Sequence, residues 1–216
     1  MSPRPRTVTD ERILEAVAKV IGRVGPGKLT LADVGREIGL SAATLVQRYG
    51  SKRGLLLAVA ASAVESVDAC FDLVRAAHRS PLAAVVAAAT DITRYLDTPE
   101  EVANHLAFLQ MDLSDPDFHR LMLINSQKML EGYTRLLREA VDAGELVECD
   151  TRRLARAITA VCGGSLISWA AFRQGTAVAW VRTDVDTVLE PYRTRSQRSA
   201  QAPRTSTRRP SRRVRG

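Results

Sequence analysis

Thr44, Gln47, Arg48 and Lys52 fall in one short run, "TLVQRYGSK", residues 44–52. A hydroxyl, an amide, a guanidinium and an ammonium so close together make a hydrogen-bonding surface of the kind that meets base edges and phosphates. The other reading is a helical hairpin whose polar face is merely solvated. Arg4, Arg6, Lys52 and Arg53 flank the run with positive charge, which favours a polyanion.

A second set, His105, Asp112, Asp115, Asp117 and His119, combines carboxylates with imidazoles, the donors of divalent-metal sites. No spacing in it is diagnostic of a metal. "DLSDPD", residues 112–117, also reads as a solvated interhelical loop with capping acids, so neither metal nor cofactor is assigned. The chain has no GxSxG, no HExxH, no phosphate loop and no Cys/His pair of recognised spacing, so no catalytic residue is assigned. "GGS" at 163–165 reads as small residues that let helices pack closely. Cys70, Cys149 and Cys162 are odd in number and widely spaced, which predicts free thiols in a reducing compartment.

The elements that must carry these residues are helices. Strand signals are nearly absent, and capping signals and helical periodicity recur along all but the ends of the 216 residues, which predicts an all-α fold. Thr9 caps a first helix, and "GPG" at 25–27 stops it. Thr30 caps a second, stopped by Gly39; Ser41 caps a third and Ser51 a fourth. In "LTLADVGREIGLSAATLVQRYGSK", Val34, Ile38, Leu40 and Leu45 point inward, Gly35 lets two helices cross closely, and Gly39 supplies a positive φ at the turn. This is a helix-turn-helix, in which the first helix braces the second for the major groove. Further on, "LAAVVAAATDITRYL" predicts a fifth helix, and a sixth runs from about Pro99 to Met111. A long helix ends near Ala143, and two more cover about 151–174 and 177–189. No run of eighteen apolar residues occurs, so no membrane span is expected, and the N-terminus lacks the apolar segment of a secretory signal.

Charge is segregated. Residues 1–60 carry ten basic and five acidic side chains, residues 61–192 twelve and nineteen, and residues 193–216 nine arginines and no acid. A basic head, an acidic body and a basic tail predict different partners for each part. The tail has almost no apolar side chain and is expected to be disordered.

Residues 12–59 resemble the DNA-binding domain of the TetR (tetracycline repressor) family of bacterial transcriptional regulators. The resemblance rests on the apolar first helix, the Thr before the second helix, "VGREIGLS", the Thr-Leu pair and the "GSK" opening the fourth helix. It implies an N-terminal three-helix helix-turn-helix DNA-binding domain over 9–56, preceded by a flexible basic arm at 1–8. A C-terminal helical ligand-binding and dimerisation domain would follow over 57–192. Thr30 and Ser41 would cap helices near phosphates; Ala42, Ala43 and Thr44 would face base edges; Gln47, Arg48 and Tyr49 would contact bases or backbone; Lys52 would meet a phosphate, with Arg4 and Arg6 adding contacts from the arm. Val46 and Arg48 stand where the family usually has aromatics, so operator contacts here are altered.

Phe71, His105, Phe108, Met111, Met122, Asn125, Tyr133, Trp169 and Phe172 are candidates for the wall of an apolar ligand pocket, or for ordinary core. Leu154, Ile158, Cys162, Gly163, Gly164, Val178, Val181 and Val185, on the last two helices, are candidates for a dimer interface. The resemblance thus implies a cytoplasmic, nucleoid-associated homodimer, a repressor binding a palindromic operator in double-stranded DNA and released by a small-molecule inducer, with no membrane partner. An architectural DNA-binding protein without ligand control, and an enzyme on a helical scaffold, stay open as alternatives.

Overall fold

The computed structural model describes residues 8–195. Among them the regular elements are all helical: α1 (Asp10–Lys28), α2 (Leu31–Ile38), α3 (Ala42–Tyr49), α4 (Lys52–Ala77), α5 (Pro81–Asp91), α6 (Pro99–Ser114), α7 (Pro116–Asp142), α8 (Thr151–Phe172) and α9 (Ala177–Leu189). Short 3₁₀ turns follow α5 and α9, at Ile92–Tyr95 and Glu190–Tyr192.

Each helix starts where its sequence supplies a cap. Thr9, Thr30, Ser41, Ser51, Ser80, Thr98, Asp115, Asp150 and Thr176 each accept a first-turn N–H on a side-chain oxygen. Such a bond is worth about 1 kcal/mol and satisfies a donor the helix itself cannot. Thr30 with Asp33, and Thr98 with Glu101, close full capping boxes.

Three boundaries depart from the sequence expectation. The path of α1 breaks at Gly25 (φ 78°, ψ 160°), but a further turn continues through Pro26 to Lys28. The fifth helix stops at Asp91, not Leu96; the hydroxyls of Thr90 and Thr93 donate back to the carbonyls of Val86 and Thr90, and the chain tightens into a 3₁₀ turn. The sixth runs past Met111 to Ser114, which puts Asp112 on a helix and not in a loop.

Two apolar cores form. The head core gathers Ile13, Val17 and Val20 of α1 with Leu29, Val34, Leu45, Leu55 and Leu56, and it also takes in Phe118 from α7. The body core joins α4, α5, α7, α8 and α9 around Phe71, Val85, Leu136, Leu137, Ile158, Trp169 and Val185. Helix α4 serves both, burying Leu55 and Leu56 in one and Val67 and Phe71 in the other. By length and composition α4 and α8 are apolar enough to cross a membrane, although neither holds an unbroken apolar run. Each sets a face into these cores.

The chain order extends past the expected start of the tail. Arg193 is buried, pairs with Asp186 at 2.5 Å and lies 3.6 Å from Glu190. Val147 N–H donates to Tyr192, and Thr194 N–H to Glu145, tying this end to the turn after α7. Arg193 therefore belongs to the body and not to a polycationic tail. Residues 196–216 lie outside the described residues, as do Arg4 and Arg6.

Candidate DNA-binding head and the layer behind it

The helix-turn-helix is held by close backbone contact. A Cβ built on Gly35 would lie 2.3 Å from the carbonyl oxygen of Leu40, so only glycine lets α2 approach the turn into α3. Gly39 turns the chain in the left-handed region (φ 72°). Gly54 repeats the device at the next junction, where a Cβ would lie 2.0 Å from the Tyr49 carbonyl oxygen. Beneath them Val34 and Leu45 are fully buried. These contacts fix the angle at which α3 stands out from the head.

On α3, Ala43, Val46, Gln47 and Arg48 are exposed, and Ala42 and Thr44 half-buried. Ser41 Oγ accepts Thr44 N–H and lies 2.8 Å from the Thr44 hydroxyl. The Thr30 hydroxyl is engaged with Asp33 at 2.6 Å. Gln47 is left exposed on α3. Arg48 instead donates to the Val8 carbonyl at 2.8 Å and to Asp10 at 3.4 Å, and the Tyr49 hydroxyl donates to Asp10 at 2.8 Å. Partial burial, with the Asp10 carboxylate, pushes the Tyr49 pKa up to about 12, so the phenol stays a donor. Thus Arg48 and Tyr49 fasten the start of α1 to the end of α3, a role the short run of polar residues did not suggest. Lys52 Nζ donates to the Gly27 carbonyl at 2.8 Å, which leaves further ammonium hydrogens for a phosphate.

Arg53, which the sequence placed in the basic flank, is clamped between head and body. Its guanidinium donates to both oxygens of Asp115 and to Asp117 at 2.8–3.2 Å, and it lies over the Phe118 ring, 5.7 Å from the centroid. The guanidinium holds the Asp115 carboxyl below the usual carboxylate range. Asp115 and Asp117 are therefore occupied by a cation of the chain itself, and no group of three or more His, Cys, Asp or Glu that could hold a metal occurs among the described residues. Alongside, Phe118 and Phe108 pack edge to face at 5.9 Å, and Asn104 donates from α6 to the Gly22 carbonyl of α1 at 2.7 Å. The α6–α7 corner is thereby seated against the head.

Between the two cores lies a layer in which nothing on three helices is buried: residues 57–66 of α4, 103–114 of α6 and 119–132 of α7. These are not simply outer faces. Ala63 is exposed although it continues the stripe Leu56, Ala60, Val67, Phe71, whose ends are buried. Met122, Asn125 and Met129 are half-buried on the stripe that joins buried Phe118 to buried Tyr133. On α6, at 100° per residue, His105 and Asp112 stand opposite the exposed row Ala103, Ala107, Gln110 and Ser114, so they face inward. Side chains on these stripes that keep accessible surface leave a partly covered layer between the two cores. His105 is accessible, yet crowding by neighbouring atoms holds its pKa below the ordinary value. Burial alone pushes Asp112 up to about 6.

Of the nine pocket candidates, His105, Met122 and Asn125 lie in this partly covered layer. Phe71 and Tyr133, edge to face at 5.0 Å, and Trp169 fill the body core. Phe108 and Met111 pack against the head core, and Phe172 is exposed and stacked on Trp180. The six are thus divided among the body core, the head core and the surface. The interface candidates divide as well. Leu154, Ile158, Cys162, Val181 and Val185 are buried inside the subunit, whereas Gly163, Gly164 and Val178 face outward. A helical stripe in sequence says that a face is covered, not which neighbour covers it.

Two family models match the chain. Residues 13–59 match the N-terminal model of bacterial regulatory proteins of the tetR family, and residues 78–190 match the C-terminal model of BetI-type transcriptional repressors. A curated relative, the HTH-type transcriptional regulator BetI of Agrobacterium fabrum (strain C58 / ATCC 33970), is 33% identical over 120 residues, 54% of this chain and 57% of the relative. The chain thus spans a little over half the length of that relative. Among solved structures, a transcriptional regulator protein from Saccharomonospora viridis in complex with choline has a TM-score of 0.65 at 21% identity, over 84% of this chain and 95% of the other. The transcriptional regulator FadR from Bacillus subtilis in complex with stearoyl-CoA has a TM-score of 0.61 at 13% identity, over 83% and 97%.

Proposed function

Because the chain belongs to the tetR family of bacterial regulatory proteins, we propose that it is a ligand-responsive repressor, binding a palindromic operator as a homodimer in the cytoplasm. The observation that carries this reading is the seat of the α6–α7 corner in the head: Phe118 lies in the head core, and Arg53 of the head is held by Asp115 and Asp117. Those same helices carry the partly covered layer between the cores, so a molecule bound there would be mechanically continuous with the DNA-reading helix. A ligand that favours one arrangement of that corner shifts the spacing of two paired heads, and DNA affinity follows by linkage. Neighbouring structures bound to choline and to stearoyl-CoA support a small-molecule effector here too. The outward faces of α8 and α9 supply the dimer contact in this reading. Catalysis has no part in it.

Selection from randomised duplex DNA tests the proposal. A two-fold symmetric site should emerge, with half-sites about one helical turn apart. Gln47→Ala should cost about 1–3 kcal/mol at particular base pairs, while Lys52→Ala should weaken all sequences evenly and lower the salt slope by about one contact. Enrichment of no sequence at all would favour the architectural alternative.

A further inference from the structure

We propose that the groove between the end of α4, the start of α5 and α9 binds a small oxyanion through Arg182 and Arg193, a site independent of the effector reading above. The groove holds about 370 Å³. It lies at the end of the body away from the head, since His78 follows α4 about 39 Å along its axis from Lys52. Arg193 is its buried wall. Nη2 of Arg193 donates to Asp186 at 2.5 Å, while Nε is sealed from solvent with no hydrogen-bond partner. Glu190 lies 3.6 Å from that Nε, within reach of its charge but too far for a hydrogen bond. Nη1 donates to no described residue either. A buried guanidinium with two of its three nitrogens unpaired is uncommon, and it asks for an acceptor from outside the chain. Arg182, exposed on α9, lines the same groove and makes no hydrogen bond or ion pair among the described residues.

Two more groups of the lining complete the set. His78 Nδ1 lies 2.8 Å from the Val74 carbonyl, so Nδ1 carries the hydrogen and Nε2 is the ring nitrogen left for a ligand. Ser80 Oγ accepts the Ala83 N–H at 3.0 Å, which leaves its own hydrogen to donate. The neighbouring acids are spent on the chain itself: Asp186 on Arg193, Glu139 on Arg75, Asp91 on Arg94, and Glu145 on the Leu82 N–H at 2.8 Å. Of these only Asp186 lines the groove, against two arginines. Guanidinium forks match the paired oxygens of a phosphate or carboxylate, and such charge-assisted bonds are about twice as strong as neutral ones. Monohydrogen phosphate suits the set best. Its oxygens accept from Arg182, Arg193 and Ser80, and its hydroxyl donates to His78 Nε2. Leu82, Val86 and Ala87 form an apolar side of the groove, which leaves room for a short organic substituent on the oxyanion.

The test is calorimetric titration of the full chain, in chloride buffer at constant ionic strength, with inorganic phosphate and separately with acetate. Wild type should bind phosphate, and Arg182→Gln should weaken it by roughly tenfold or more, as loss of a charge-assisted contact demands. Arg182→Lys should restore part of the affinity. Arg182 is exposed and unpaired, so Arg182→Gln should melt like wild type in chloride alone. Only the rise in melting temperature that phosphate brings should shrink. Phosphate could also settle on the basic head, and Lys52→Ala separates the two places. Binding lost in Lys52→Ala but kept in Arg182→Gln would put the anion on the DNA-reading face and overturn the assignment. Stabilisation that sodium chloride of equal ionic strength reproduces would overturn it as well, as would a wild type that binds neither anion. Acetate bound in place of phosphate, and lost in Arg182→Gln, upholds the oxyanion site and makes its head group a carboxylate.

Discussion

Asp112 sits where a carboxylate is costly. Its pKa is raised to about 6 by burial, against roughly 3.9 in an unfolded chain, so the folded state holds the proton more tightly. The sign follows: the group leaves stability intact below about pH 4, erodes it as pH rises toward 6, and adds no further slope above. Two pK units would correspond to about 3 kcal/mol, but the side chain is only half-buried, and solvent screening reduces this to about 1 kcal/mol. Asp112→Asn should therefore be more stable than wild type at pH 7.5, with the gap closing by about pH 4 in denaturant melts. His105, whose pKa is lowered, loses folded-state stability as pH falls through its range, in the opposite direction. Comparing the two proteins at each pH removes the His105 contribution, which both share. A gap that stays constant from pH 7.5 to 4 would mean that Asp112 is not desolvated. In sequence Asp112 reads as the first acid of an interhelical loop, because Asp115 and Asp117 follow so closely. Only the extra turn of α6 separates its inward register from theirs.

At the level of elements, the head was largely legible and the body was not. Caps and glycines act locally, so Thr30, Gly35, Gly39, Ser41 and Ser51 could be assigned from neighbours in sequence, and each does at its helix end what its type allows. Gly35→Ala is the sharpest check. Its new Cβ meets the backbone oxygen of Leu40, which cannot swing aside as a side chain would. The variant should lose more than about 3 kcal/mol of stability, or lose DNA binding while the body keeps its helicity. Wild-type melting and wild-type operator affinity together would show that the turn tolerates the clash. The Arg53 clamp had no local signal, since its partners lie 62 and 64 residues away. Arg53→Ala removes an ion pair that solvent screens, so global stability should change little. What it should change is communication. The ratio of operator affinities with and without saturating effector should shrink by roughly fivefold or more, while effector affinity holds. An unchanged ratio would move the coupling to the α1–α6 contact at Asn104 and Gly22.

For the whole molecule, the decisive surface is the outer side of α8. Periodicity picked out Leu154, Ile158, Cys162 and Trp169, and that row is spent inside the subunit. The row left outside is Ala157, Ala160, Gly164, Ile167 and Ala171, small residues around an isoleucine that is 50% exposed. Gly164 gives a test that separates the subunit from its assembly. A Cβ built there meets nothing within 4 Å, so the isolated subunit has no steric reason for glycine. In a helix interior glycine costs about 1 kcal/mol relative to alanine, and a subunit acting alone would gain from replacing it. A second helix crossing closely over this point would supply the missing reason. Gly164→Leu should then fold as well as wild type or better in dilute solution, yet sediment as a monomer where wild type sediments as a dimer. Its operator affinity should fall steeply, because a single head loses the half of the palindrome that its partner reads. A Gly164→Leu protein that remains a dimer of undiminished operator affinity would place the two-fold contact off this face, on the side of α9 that carries Val178 or elsewhere.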